Sequence, residues 1–339
     1  MVAQLAGAVH GRAEDRIGAP TMTDRDPRLS PPSGPWSSGV PTSPPGGGSW
    51  PEPWQPTGFS RPDSSAGPGE AAPRPARARR RWVPALLFVA TCLSTLLVGG
   101  PVFAVAVMTI LTAHELGHFL QARRYGVPAS FPYFIPMPLS PVGTMGAVIV
   151  MRSRVADVRA LFDIAITGPL AGLVPAVAFT LIGLPLSTVV TRTEAQNIFF
   201  LGEPLLFRFF SRLTFGSLPP DQDVLLHPLA YAGWVGIFIT ALNLIPVGQL
   251  DGGHILYALL RRKAHRVAIV LLVAAAAGIV AFGYWGWSLL FLLLLVFGPL
   301  HPPTADDDLP LGPVRVLLGW LTLLFLVVGF TPEPFVFGL

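Results

Sequence analysis

Cysteine is almost missing: the 339 residues hold one, Cys92. That excludes an intramolecular disulfide and any thiolate metal site, so a bound metal must rely on His and carboxylate side chains. Charge is scarce too. Asp, Glu, Lys and Arg make up 12% of the chain, against about 25% in soluble domains. Hydrophobic residues make up 51%, and the mean hydropathy is +0.57. Such a composition belongs to a membrane protein. The net charge is +4, and its basic residues sit in short clusters beside apolar runs. That pattern suits membrane orientation and argues against a nucleic-acid partner. The first twenty residues lack a sustained apolar core, being interrupted by Arg12, Glu14, Asp15 and Arg16. No cleavable signal peptide is expected, and the first long apolar run serves as an uncleaved anchor.

What is present divides the chain in two. Residues 1–81 are rich in Pro, Gly and Ser and show neither helical nor strand periodicity. They cannot bury enough apolar surface to offset their ordering entropy, so a disordered cytoplasmic tail is expected. Met22 is an alternative start. The tail ends in Arg74, Arg77, Arg79, Arg80 and Arg81, and apolar runs follow at about 82–100 and 102–122. Each approaches the roughly 20 residues needed to cross a bilayer core. Further spans are expected near 160–184, 226–247, 267–283, 287–300 and 314–330. Basic groups at Arg123 and Arg124, at Arg152, Arg154 and Arg159, and at Arg261, Arg262, Lys263 and Arg266 agree with one alternating topology and a cytoplasmic N-terminus. The fold expected is an all-α polytopic membrane protein of about six to seven transmembrane helices, occupying residues 82–335, in a bacterial inner or plasma membrane.

Residues 127–150 break that pattern. Pro128, Pro132, Pro136, Pro138 and Pro141 forbid a regular helix, yet no residue in the stretch is charged. A re-entrant loop or short membrane-associated β-hairpin is expected, packed against protein at membrane depth, with its turn at Gly143 or Gly146.

The chemistry concentrates in His114-Glu115-Leu116-Gly117-His118. On a helix, positions i and i+4 share a face, so both imidazoles can reach one metal ion. Imidazole suits zinc, and a catalytic zinc keeps three protein ligands and an open position. Glu115 stands beside the first ligand, where a general base is useful. A structural hydrogen-bonded cluster is the bland alternative, but ionisable groups inside a membrane helix are costly and persist with a partner or a function. A third ligand must lie near the membrane on the same side as His118. Asp251, followed by Gly252 and Gly253, meets both conditions, and His254 is the weaker candidate. His227 and His301 read as structural. Asp163 and Asn243 are polar groups in or near spans, and Asn243 suits either substrate binding or helix packing.

HELGH on one membrane helix and Leu250-Asp251-Gly252-Gly253-His254 on a later one resemble the site-2 protease family of intramembrane metalloproteases. Asn243-Leu244-Ile245-Pro246, Gly143-Thr144-Met145-Gly146 and Thr167-Gly168-Pro169-Leu170-Ala171-Gly172 add to the likeness. The resemblance implies one zinc ion held by His114, His118 and Asp251, with Glu115 as catalytic base. It implies that 127–150 helps to present substrate, with Gly143, Thr144, Met145, Gly146 and Asn243 as candidate contacts. The substrate would be a single-span membrane protein, unwound locally before cleavage, and no obligate protein partner is evident. The stretch 185–224 is too short for an inserted PDZ domain of about 80 residues, a departure from many relatives, and the extra spans after Lys263 resemble a bacterial and plastid-type branch of that family. A zinc-binding or zinc-transporting membrane protein without hydrolysis is the competing reading, and Glu115 discriminates, since a transporter needs no base beside its ligands.

Overall fold

The computed structural model describes residues 82–151, 156–191, 199–298 and 300–337. The expected disordered tail, with its basic cluster, and Arg152 and Arg154 lie outside them.

The first helix, α1 (Trp82–Arg124), runs for 43 residues. An unbroken helix of that length would span roughly 65 Å, twice the ~30 Å bilayer core. It is not unbroken: Gly100 has φ 76° and ψ −178°, and Pro101 follows. The two apolar runs read from the sequence meet at this break. Glycine tolerates that backbone and proline cannot complete the preceding helical ladder.

A two-stranded antiparallel hairpin follows, β1 (Tyr133–Pro136) with β2 (Thr144–Val148). The proline-rich segment is therefore a hairpin. Gly143, at φ 77°, closes its turn, and Gly146, at φ 94°, lies within β2. The Ser94 hydroxyl donates to the Gly143 carbonyl at 2.6 Å, and the Tyr231 hydroxyl donates to Pro141 at 2.9 Å. The hairpin is thus pinned to the first part of α1 and to the start of a later helix that carries Tyr231.

The helix α2 (Val158–Gly183) starts where the Asp157 carboxylate accepts from the Ala160 amide at 2.7 Å. Two antiparallel pairs follow its C-terminal end: β3 (Thr188–Thr191) with β5 (Gln222–Leu225), and β4 (Phe199–Leu201) with β6 (Phe335–Phe337). The short helix α3 (Leu205–Phe215) lies between β4 and β5 in the chain. Next comes α4 (Pro228–Asn243), capped by His227, whose Nδ1 accepts from the Leu229 amide at 3.2 Å. The span expected at 226–247 is shorter than read, because residues 244–250 turn before α5 (Asp251–Leu260) begins. The remaining helices are α6 (Lys263–Phe282), α7 (Ser288–Phe297) and α8 (Pro313–Gly329).

Among the described residues, three helical stretches are long and apolar enough to cross a membrane: 82–124, 158–186 and 263–282. Shorter apolar helices cover 228–243, 285–296 and 313–329. The main core joins the second half of α1 to α2 and α4 through Phe103, Val107, Ile110, Ala176, Trp234 and Ile237. A second cluster, Val158, Phe162, Ile255 and Leu311, ties the start of α2 to α5 and to the segment before α8. The helices α1, α2, α4 and α5 are the ones that carry the polar residues singled out above.

Candidate metal centre

His114, Glu115 and His118 lie near the C-terminal end of α1 and are 3%, 2% and 1% exposed. The four-residue spacing puts both imidazoles on one face, with ring centroids 4.9 Å apart and Nε2 atoms 3.1 Å apart. Asp251, 1% exposed, opens α5 and reaches the same point. Its Oδ2 is 3.2 Å from His114 Nε2 and its Oδ1 is 3.3 Å from His118 Nε2. The three donor atoms all lie within 4.8 Å of one another.

Close helix packing makes this convergence possible. A Cβ on Gly168 of α2 would sit 2.0 Å from His118 Nε2, and one on Gly172 would sit 3.0 Å from His114 Cβ. At Gly168 a side chain would collide with the His118 ring, and at Gly172 it would press on His114.

The donor set fits a divalent cation. His118 Nδ1 lies 2.7 Å from the Ile164 carbonyl, which can only accept, so Nδ1 carries the proton. In the neutral ring, Nε2 then presents a lone pair to His114 Nε2 and to the Asp251 carboxylate. A lone pair against a carboxylate oxygen is repulsive, and Asp251 Oδ1 and Glu115 Oε2 accept no hydrogen bond among the described residues. A proton on Nε2 serves one acceptor at a time. A cation at the shared point satisfies all three donors, and two imidazoles with one carboxylate leave a tetrahedral position open. Fixing the tautomer through the far ring nitrogen is the usual outer-sphere device of a metal-binding histidine.

The other residues named from the sequence fall out as follows. Asn243, the last residue of α4, brings Nδ2 to 3.4 Å from His114 Nε2. His254 is not in the three-donor group. Its Nδ1 lies 2.5 Å from His301 Nε2, a partner outside the three-donor group. Asp163 accepts two hydrogen bonds from Arg315, at 2.8 and 2.9 Å, and one from the Tyr125 hydroxyl. Thr144 and Met145 line a cavity of about 780 Å³ between the hairpin, α4 and the start of α7, with Phe238, Leu242, Trp285 and Trp287. The Thr144 hydroxyl is spent inside the hairpin, donating to the Ile135 carbonyl at 3.0 Å. Gly143 and Gly146 shape the turn and strand and do not line that cavity. Sequence reasoning missed the Ile164 carbonyl, since a backbone oxygen leaves no residue signature.

The model of Peptidase family M50 matches residues 102–282. Among curated proteins, the chain is 34% identical over 239 residues to the probable zinc metalloprotease EGY1, chloroplastic, of Arabidopsis thaliana, covering 68% of this chain and 42% of the relative. It is 33% identical over 242 residues to the probable zinc metalloprotease EGY2, chloroplastic, of the same plant, covering 69% and 42%. It is 31% identical over 238 residues to the probable zinc metalloprotease EGY3, chloroplastic, of Oryza sativa subsp. indica, covering 65% and 39%. The chain thus spans about two fifths of the length of these curated relatives. No solved structure matches it.

Proposed function

Because the chain belongs to Peptidase family M50, the site-2 protease family that its paired motifs resemble, we propose that it is an intramembrane zinc endopeptidase acting on membrane-spanning substrates. The observation that carries the reading is the convergence of His114, His118 and Asp251, with a neighbouring Glu115 carboxylate oxygen that has no partner among the described residues, all buried. The names of the plant relatives support zinc as the metal.

His114 Nε2, His118 Nε2 and one Asp251 oxygen would hold the ion. Zinc, when held there, supplies Lewis acidity toward a carbonyl oxygen and toward water. Glu115 takes a proton from the attacking water as its oxygen bonds the scissile carbonyl carbon. The same carboxyl then returns a proton to the departing amine as the C–N bond breaks. Asn243 contributes an amide dipole beside His114, suited to a carbonyl oxygen whose charge rises in the transition state. A helical peptide bond is shielded by its own hydrogen bonds, so the substrate must be extended where it is cut. The edge of β2 not paired to β1, with Thr144 and Met145 facing the apolar cavity, offers an extended segment a strand to pair with.

The orientation proposed puts the site-bearing face on the cytoplasmic side of a cell membrane. Arg123 and Arg124 end α1 just beyond His118, Arg159 lies in the first turn of α2, and Arg261, Arg262, Lys263 and Arg266 sit at the junction of α5 and α6, a basic clustering the positive-inside rule assigns to the cytoplasmic side.

The test is a reporter with one membrane span, incubated with purified chain in lipid. Cleavage should require zinc and stop with a chelator. Zinc uptake without any cleavage of a panel of single-span reporters would favour the non-hydrolytic metal-binding reading instead.

A further inference from the structure

The segment between α7 and α8 binds the two elements that set the geometry of the cluster. On α5, three side chains at positions i, i+3 and i+7 face this segment. His254 Nδ1 lies 2.5 Å from His301 Nε2. The Tyr257 hydroxyl donates to Asp307 Oδ2 at 2.7 Å, and its ring stacks on His301 with centroids 4.2 Å apart. Arg261 donates from Nε to the Asp307 carbonyl at 2.7 Å and from Nη2 to the Leu309 carbonyl at 2.8 Å. Arg261 also ends α5 at φ 53°, a left-handed backbone unusual outside glycine that those two bonds help to hold.

The same segment grips the start of α2. The Val158 amide donates to the Asp306 carbonyl at 3.2 Å, the Ala305 amide donates to the Ala156 carbonyl at 3.0 Å, and Arg159 Nε donates to the Pro310 carbonyl at 2.7 Å. The first turn of α8 adds the bidentate pair of Arg315 with Asp163, the residue before Ile164. Ile164 supplies the carbonyl that orients His118.

We infer that residues 301–315 form a positioning strap that holds Asp251, through α5, and His118, through Ile164 of α2, in register for one metal ion. The inference rests on the zinc reading above. Its physical basis is the shortness of α5, 10 residues, since a helix of that length is marginal by itself and takes its place from tertiary contacts. The strap lies beyond residues 102–282, the stretch that the family model matches. His301, Asp307 and Arg315 are positioning residues and touch no substrate.

The experiment is a Co²⁺ titration of the full chain in lipid nanodiscs, followed by visible absorption, with Zn²⁺ competition. Tyr257→Phe, Asp307→Asn and Arg315→Gln should each weaken Co²⁺ binding by about 10- to 100-fold, the range for disturbed outer-sphere partners. The Tyr257→Phe/Asp307→Asn double variant should be no weaker than the worse single one, because the two side chains share one bond. The control is Trp287→Phe, which removes a 2.7 Å hydrogen bond to the Pro332 carbonyl outside the strap. It should leave Co²⁺ affinity unchanged even where it lowers Tm. Strap variants that bind Co²⁺ like the wild type, or a control that loses as much affinity, would overturn the inference and leave the zinc reading standing. A wild-type chain that takes up neither Co²⁺ nor Zn²⁺ overturns the zinc reading, and the inference with it. Should Asp307→Asn fail to fold, Tyr257→Phe, which loses a single hydroxyl, still decides.

Discussion

His118 Nδ1 lies 2.7 Å from the Ile164 carbonyl, and this one bond settles which ring nitrogen faces Asp251. The cluster therefore depends on α2 as well as on the two helices that supply its donors. Gly168, four residues after Ile164, leaves no room for a side chain beside that ring.

Gly168→Ala should disable the metal centre. The added Cβ would fall 2.0 Å from His118 Nε2, so the ring must leave its position and break its bond to Ile164. Metal affinity should drop by about 10- to 100-fold or more. Gly278→Ala is the matched control, with nothing within 4 Å of its Cβ. Metal content after dialysis, measured for both, checks this, and equal content in the two variants would contradict it.

Glu115→Gln should separate binding from hydrolysis. Its side chain keeps the size of the original but cannot take a proton. Reporter cleavage should fall by at least about 100-fold, the lower end for loss of a general base. Bound zinc per chain should stay at the wild-type level. Persistent cleavage in this variant would rule out the role given to Glu115.

Ser94→Ala should act on the hairpin and spare the metal. The hydroxyl makes a buried 2.6 Å bond to the Gly143 carbonyl, and losing such a bond costs about 1 kcal/mol. Amides of β1 and β2 should exchange faster with solvent deuterium, and turnover should fall while metal affinity is unchanged. If β2 guides the substrate, Met145→Pro should also depress cleavage without moving metal affinity. Normal turnover in both variants would remove the hairpin from substrate presentation.

The strap should loosen in acid. Burial pushes His301 down to about 4, with His265 on α6 opposing its charge and the Pro302 carbonyl and Asp307 favouring it. His254 and Tyr257 of α5 complete its surroundings. A histidine whose folded value is lowered binds more protons when the segment is detached. Its stabilising contribution is therefore complete above about 6.5 and is lost as pH falls toward about 4. Asp307 does not offset this. Burial alone would raise its carboxyl, but bonds from Thr304 and Tyr257 outweigh that and hold it below its ordinary value. Relative to His301→Phe, which keeps a ring against Tyr257 and does not titrate, wild-type Tm should fall between pH 7 and pH 4.5. A Tm difference constant over that range would remove His301 as the titrating group.

The sequence alone determined the local features. Helical spacing put His114 and His118 on one face, the prolines of 127–150 excluded a helix there, and apolar runs marked the long helices. Each of these depends on neighbours a few residues apart, so periodicity and backbone sterics suffice to read it. The tertiary structure decided what lies far apart in the chain. It brought Asp251 to His114 across 137 positions and turned a backbone carbonyl of α2 toward His118. It also gave His254 to His301 rather than to the cluster. Those outcomes follow from which helix faces pack together and how closely glycine lets them approach, and no local pattern encodes that. Within α1, the sequence marked two apolar runs with their boundary near Gly100, and the structure showed the backbone at that boundary, φ 76° at Gly100, because a glycine allows such a break and does not require one.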